Sequence, residues 1–303
     1  MAYTTSGLVS AIDYNALAAQ LRAQWGVGSG VHGFGQSITP IADVAAGTTV
    51  TATQWTGLLA TTNACLTHEG QPAITPTSVT AGTPITYFAS LTSGTASAYN
   101  NTGVSGIALS DSAANVASYP SAWGTTASRS LEFTHTVTFA SADAARYFFN
   151  AGGRLKLSFS KSGGTATSRN AEWAALAAAC GSIQLRANAN IVKVGGSGTV
   201  SDLGPAGYYA LTTSPVRYFL QYDGEASYSS NYITTNIWWS GTSSNGGYQT
   251  VNFQTIWANV WVNAYQDAVD GITATNLVVA SPSTSYLANT WGTPSVTNSV
   301  TLI

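Results

Sequence analysis

The sequence predicts a mainly β protein with a few short helices. A small N-terminal helical region over residues 1–72 is followed by a β-sandwich or jelly-roll-like body over residues 73–303. Three observations carry that prediction. Short runs with apolar residues at alternate positions recur through the second part, bounded by Gly, Pro, Ser and Asn turns. A strand–helix–strand pattern spans Leu131 to Ser160. Two helix-start signatures stand in the first 72 residues and repeat one another.

The repeat compares Val9-Ser-Ala-Ile-Asp-Tyr-Asn-Ala-Leu17 with Val50-Thr-Ala-Thr-Gln-Trp-Thr-Gly-Leu58. Each copy carries a capping box, Ser10 with Asp13 and Thr51 with Gln54, and each opens a helical pattern. Ile12, Leu17, Leu21 and Trp25 share one face of the first; Trp55, Leu58, Leu59 and Cys65 share one face of the second. These helices are expected to pack on each other or on a neighbouring chain. Tyr14, Leu17, Leu21, Trp25, Trp55 and Leu58 are the candidate assembly residues. Removing residues 1–72 is expected to leave a folded body that no longer assembles. Gly26 to Val50, between the helices, reads as a glycine-rich loop. Its glycines do not follow the G-x-G-x-x-G or Gly-Lys-Ser/Thr patterns of nucleotide loops.

In the body, Leu131, Phe133, Val137 and Phe139 alternate with Glu132, Thr134, Thr136 and Thr138, and His135 takes an apolar-side position. Ser141 caps a helix at about 141–151, with Asp143 in its first turn and Phe148 and Phe149 on its stripe. Gly152 and Gly153 stop it, and Leu155, Leu157 and Phe159 begin a second one-sided strand. A further helix at about 169–180 presents Trp173, Leu176, Ala177 and Cys180, capped by Ser168 or Asn170. Strands are expected at 85–91, 106–109, 183–186, 191–194, 208–212, 216–222, 232–239, 249–253, 256–262, 273–280 and 296–302. The stretch from Gly94 to Arg129 reads as an exposed loop.

Charge is the unusual quantity. Asp, Glu, Lys and Arg make up 7% of the chain, against roughly 25% in an average soluble protein. Thr, Ser, Asn and Gly replace them, which suits faces buried in an assembly, where an unpaired charge is costly to desolvate. Net charge is −2 and basic runs are absent, so nucleic acid is not an expected partner. No apolar run matches a transmembrane helix or a signal peptide, so membrane is not expected either, and synthesis in a cytoplasm is. Cys65 and Cys180 read as isolated buried thiols.

Chemistry is thinly signalled. Asp223 and Glu225 flank Gly224 in one turn, Asp267 and Asp270 share another, and neither pair has the spacing of a glycosidase or a calcium loop. His32, His68 and His135 stand apart from any Ser or Cys motif, and no catalytic residue, metal site or cofactor is assigned. The remaining signal is aromatic. Trp238, Trp239, Tyr228 and Tyr232, with Trp257 and Trp261 nearby, could stack on sugar rings. The plainer reading puts one of Trp238 and Trp239 in the core and the other across the sheet or at a subunit interface.

The paired helix starts, the loop VGSGVHGFGQS and the segment HTVTFASADAARYFFNAGGRLKLSFS resemble virion structural proteins of tailed bacteriophages, of the fibre-, neck- and tail-associated type. The resemblance covers the N-terminal 72 residues and about Glu132–Ser160 and carries no catalytic motif. It implies a non-enzymatic virion component made in the host bacterial cytoplasm. Its partners would be copies of itself, with a trimer favoured, and other neck, tail or capsid proteins. The alternative is an adhesin whose Trp and Tyr loops touch a host surface glycan.

Overall fold

The structure, a computed structural model, describes residues 10–82, 84–125, 130–188, 192–204, 207–225, 228–260 and 267–303. Expectations attached to Val9, Ile191, Trp261 and Val262 lie outside the described residues. The fold is mainly β, with a helical N-terminal part ahead of two antiparallel sheets. No helix among the described residues is long and apolar enough to cross a membrane.

Both capping boxes form. The Ser10 side chain accepts from the Asp13 amide while Asp13 accepts from the Ser10 amide at 3.1 Å, opening α1 (Ala11–Trp25). Thr51 and Gln54 do the same for α2 (Ala52–His68), with the Thr51 amide donating at 2.8 Å. Each cap contributes about 1 kcal/mol. Tyr14, Leu17 and Leu21 of α1 meet Trp55, Leu58 and Leu59 of α2 in one buried layer, and Tyr14 sets its ring edge against Trp55 at 5.5 Å. Ile12, expected on the buried stripe, is 75% exposed; Ala11, Tyr14 and Ala18 take that face.

A third helix, α3 (Phe88–Asn100), stands where a strand at 85–91 and then a loop were expected. Ile85, Tyr87 and Leu91 do alternate, but Leu91, Thr95 and Ala98 recur at helical spacing and are buried. Packing against α1 and α2 decides the conformation over local propensity. Strands β1 (Ser110–Asp111) and β2 (Asn115–Tyr119) lie further along the same expected loop.

The other strands are β3 (Ser130–Thr138), β4 (Arg154–Ser162), β5 (Ser182–Leu185), β6 (Val192–Val194), β7 (Asp202–Leu203), β8 (Val216–Tyr222), β9 (Tyr232–Ser244), β10 (Gly247–Ala258), β11 (Ile272–Ser281) and β12 (Ser295–Leu302). One sheet runs β1-β11-β4-β5-β6, with β2 also on β11; the other runs β12-β3-β10-β9-β8-β7. The strands expected at 249–253 and 256–262 are one continuous strand, β10, and 208–212 is instead a short 3-10 turn at Tyr208–Ala210. No strand forms at 106–109.

The sheets pack face to face. Phe159 of β4 stacks on Phe219 of β8 at 5.6 Å, and His135 of β3 shares a 2.9 Å hydrogen bond with Thr275 of β11. The strand–helix–strand unit therefore does not build one sheet: β3 and β4 belong to opposite sheets. The helix between them, α4 (Ala142–Asn150), closes one end of the sandwich, where Phe148 and Phe149 meet Phe139. The opposite end is closed by α5 (Ser168–Cys180), capped by Thr167, whose Trp173 packs on Trp123 at 4.9 Å and on Trp257 of β10 at 5.7 Å.

One buried core runs through helices and sandwich alike. The glycine-rich loop after α1 makes the join. Arg146 of α4, fully buried, donates to the carbonyls of Val27 (3.2 Å), Gly30 (3.3 Å) and His32 (2.7 Å), and pairs with Asp143 at 2.6 Å. Asn150 donates to the Gly33 carbonyl at 2.8 Å. Gly35 has φ +68°, and a Cβ there would lie 2.4 Å from the Tyr147 ring, so only glycine lets the loop lie this close to α4. Gln36 exchanges two 2.9 Å hydrogen bonds with Ala288, between β11 and β12.

Candidate functional site

The six residues expected to mediate assembly are mostly inside the chain. Tyr14, Leu17, Leu21, Trp55 and Leu58 are buried, and the partner they meet is the neighbouring helix of the same chain. Trp25 is half-buried, and its indole N–H donates to the Ser37 carbonyl at 2.7 Å. These residues hold the helical layer together, and of the six Trp25 keeps the most surface.

Strand alternation separates the four aromatic candidates. Ile233, Ile237 and Trp239 of β9 face the interior, where Trp239 stacks on Tyr248 at 4.7 Å and meets Tyr208 edge-on at 5.4 Å. Tyr232, Asn236 and Trp238 take the outer face of the same strand. Tyr232 contacts Tyr222 at 5.5 Å, and Tyr228 lies in the preceding turn. Of the Trp pair, Trp238 alone is on the outer surface.

That outer face is laced by polar side chains, nearly all of them uncharged. Thr134 of β3 and Ser299 of β12 share a hydrogen bond of 2.7 Å, and Thr136 donates to Asn252 of β10 at 3.2 Å. Asn252 donates to Ser240 at 2.8 Å, Asn236 donates to Gln254 at 2.9 Å, and Gln254 donates to Glu132 at 2.9 Å. Four strands, β12, β3, β10 and β9, thus present hydroxyls and amides already oriented by their neighbours, with Trp238 half-buried among them. The sequence signalled these residues only as the polar half of each alternation, which does not say that they form one connected surface.

The acidic candidates do structural work. Asp223 is buried, accepts the Glu225 amide at 3.0 Å, and has its carboxyl pushed up mainly by burial. Asp270 accepts from the Thr165 amide at 3.0 Å and from the Asn170 side chain; the Asn170 hydrogen bond leads in holding its carboxyl below the usual range. It ties the turn after β4 to the start of β11. Among the described residues no group of three or more His, Cys, Asp or Glu is placed to hold a metal ion.

The most perturbed carboxyl was not singled out by the sequence. Glu69, 2% exposed just after α2, has its carboxyl pushed up to about 9 by burial, and accepts from the Gln24 amide at 2.9 Å. Beside it in sequence, His68 is buried, bonded to the Ala151 carbonyl at 2.8 Å, and held below the usual imidazole range by desolvation. These two groups lie at the seam between α2 and α4's end.

No family model, no curated protein and no solved structure matches this chain. Its function is read from its surfaces.

Proposed function

We propose that the chain is a structural subunit of a larger particle, acting through homo-oligomeric and particle interfaces. The observation that carries this reading is the outer face of the β12-β3-β10-β9-β8 sheet. It is a broad surface of pre-oriented hydroxyls and amides in a chain with 7% charged residues. Such a face carries few charges, and the Glu132 carboxylate on it already accepts from Gln254, which lowers the cost of burial in an assembly. The likeness of the loop and of the Glu132–Ser160 segment to tailed-phage virion proteins gives the particle its class: a neck, tail or fibre component. The test is incorporation. The purified chain added to particles assembled without it should co-sediment with them; a chain that stays in the supernatant contradicts the proposal.

A second reading has its own observation. Trp238 and Tyr232 share the outer face with Asn236, Asn252 and Gln254, a combination of rings and amides suited to a glycan. In that reading the same subunit touches the host surface. Glycan-array binding that Trp238→Ala abolishes would support it, and binding unchanged by that substitution would count against it.

A further inference from the structure

β12 is an edge strand, with β3 on one side and no strand on the other among the described residues. Its hydrogen-bond parity is fixed by one pair: Ile303 and Ser130 exchange both N–H···O bonds, at 3.0 and 3.1 Å. In an antiparallel ladder such pairs alternate, so Thr301, Ser299, Thr297 and Ser295 also bond to β3. The N–H and C=O groups of Val296, Asn298, Val300 and Leu302 therefore point away from the sheet. Among these, the Val296 carbonyl accepts from the Asn115 side chain at 3.3 Å.

Natural edge strands are guarded by Lys, Pro, bulges or extreme shortness. SVTNSVTL has none of those guards in its sequence: it is eight residues long, uncharged, free of proline and in unbroken register with β3. What lies against it is β2, whose Val116 carbonyl accepts from the Asn298 side chain at 3.2 Å and whose Asn115 would give up the Val296 carbonyl to a pairing strand. What its outer edge can bond is the backbone of another extended strand.

We infer that β12 pairs antiparallel with β12 of a second copy across a two-fold axis at Ser299. The strand is self-complementary in that register. The outward groups of Asn298 meet those of Val300 of the partner copy, and Val296 meets Leu302. On the solvent face Thr297 falls opposite Thr301 and Ser299 opposite its own copy, hydroxyl against hydroxyl. On the core face, Val296 and Val300, packed at the rim of the core, and the exposed Leu302 gain apolar neighbours. No charge opposes another anywhere along the pair. The two six-stranded sheets would become one of twelve strands, and the building unit would be a dimer in place of the trimer suggested by resemblance. This inference names one interface for the assembly proposed above and rests on that reading.

Sedimentation velocity on the full chain over a wide concentration range tests it, using two neighbouring prolines. Val300→Pro removes an N–H that faces outward and serves no bond within the chain; Thr301→Pro removes one bonded to β3. The expected result is a reversible dimer for the parent, a monomer with near-parental melting for Val300→Pro, and a lowered melting temperature for Thr301→Pro. If Val300→Pro does not fold, Thr297→Lys replaces it, placing charge on the paired face while leaving the core untouched; it too should give a monomer. An oligomer that Val300→Pro and Thr297→Lys leave intact overturns the edge pairing and spares the assembly reading. A parent that stays monomeric and binds no particle overturns both.

Discussion

Glu69 and His135 are two buried residues through which pH acts on this fold. The Glu69 carboxyl is pushed up to about 9 by burial, so the folded chain holds that proton more tightly than the unfolded chain. Its stabilising contribution is complete below the ordinary carboxylate value and is lost as pH rises toward about 9. Glu69→Gln keeps an acceptor for Gln24 and removes the titration. Thermal melts should show the variant more stable than the parent at pH 8, with a flatter alkaline limb. His135 is held down to about 4, again mainly by burial, so its contribution is present above the ordinary imidazole value and lost as pH falls through about 4. Acid melting should therefore begin below pH ~6.5, and a His135→Gln variant should lose that dependence.

The two tryptophans of β9 give a second test at this scale. Trp239→Ala removes a ring stacked on Tyr248 and set edge-on to Tyr208, and should cost about 2–4 kcal/mol in denaturant unfolding. Trp238→Ala, on the outer face, should cost about 1 kcal/mol or less. Equal losses would contradict the facing assigned here. The sequence left open which of the two was interior, because alternation fixes their difference and not the direction. Register against Val251 and Asn252 settles it.

At the scale of elements, the caps, the α4 and α5 stripes and most long strands were legible, because each is a local pattern with its own period. Three features were not. α3 is made helical by the groove between α1 and α2. That β3 and β4 belong to opposite sheets has no local signal, because it depends on α4 carrying the chain over the end of the sandwich. The glycine-rich loop read as turn chemistry; its conformation is set by Arg146, a residue more than a hundred positions away. Arg146→Ala would take the guanidinium donor from the carbonyls of Val27, Gly30 and His32, and leave Asp143 only Ser244 and Asn245. Breaking a buried charged network of this kind costs about 3–5 kcal/mol. Urea unfolding should register that loss, and a change under about 1 kcal/mol would contradict the role given to Arg146.

At the scale of the whole molecule, the helical layer and the β body share one core. Residues 1–72 were expected to be separable from the body, but the core is continuous across that boundary. Phe34 and His68 are buried in it, and the Phe34 and Gly33 carbonyls accept from Thr290 and Asn150 at 2.7 and 2.8 Å. A chain beginning at residue 73 would uncover Leu91 of α3 and the Arg146, Tyr147 and Asn150 side chains of α4, which α1, α2 and the loop now meet. We expect that fragment to lack a cooperative melting transition, where the sequence alone suggested a folded body. A sharp transition for the fragment would restore the two-domain description.

What the molecule offers to others is then its exterior: the hydroxyl and amide face of one sheet and the unguarded edge at β12. Both are suited to contact with protein. The measurement that bears most directly on this account is the mass of the full chain in solution as concentration rises. The account predicts reversible self-association. A chain that remains monomeric at every concentration, alone and in the presence of particles, would contradict it.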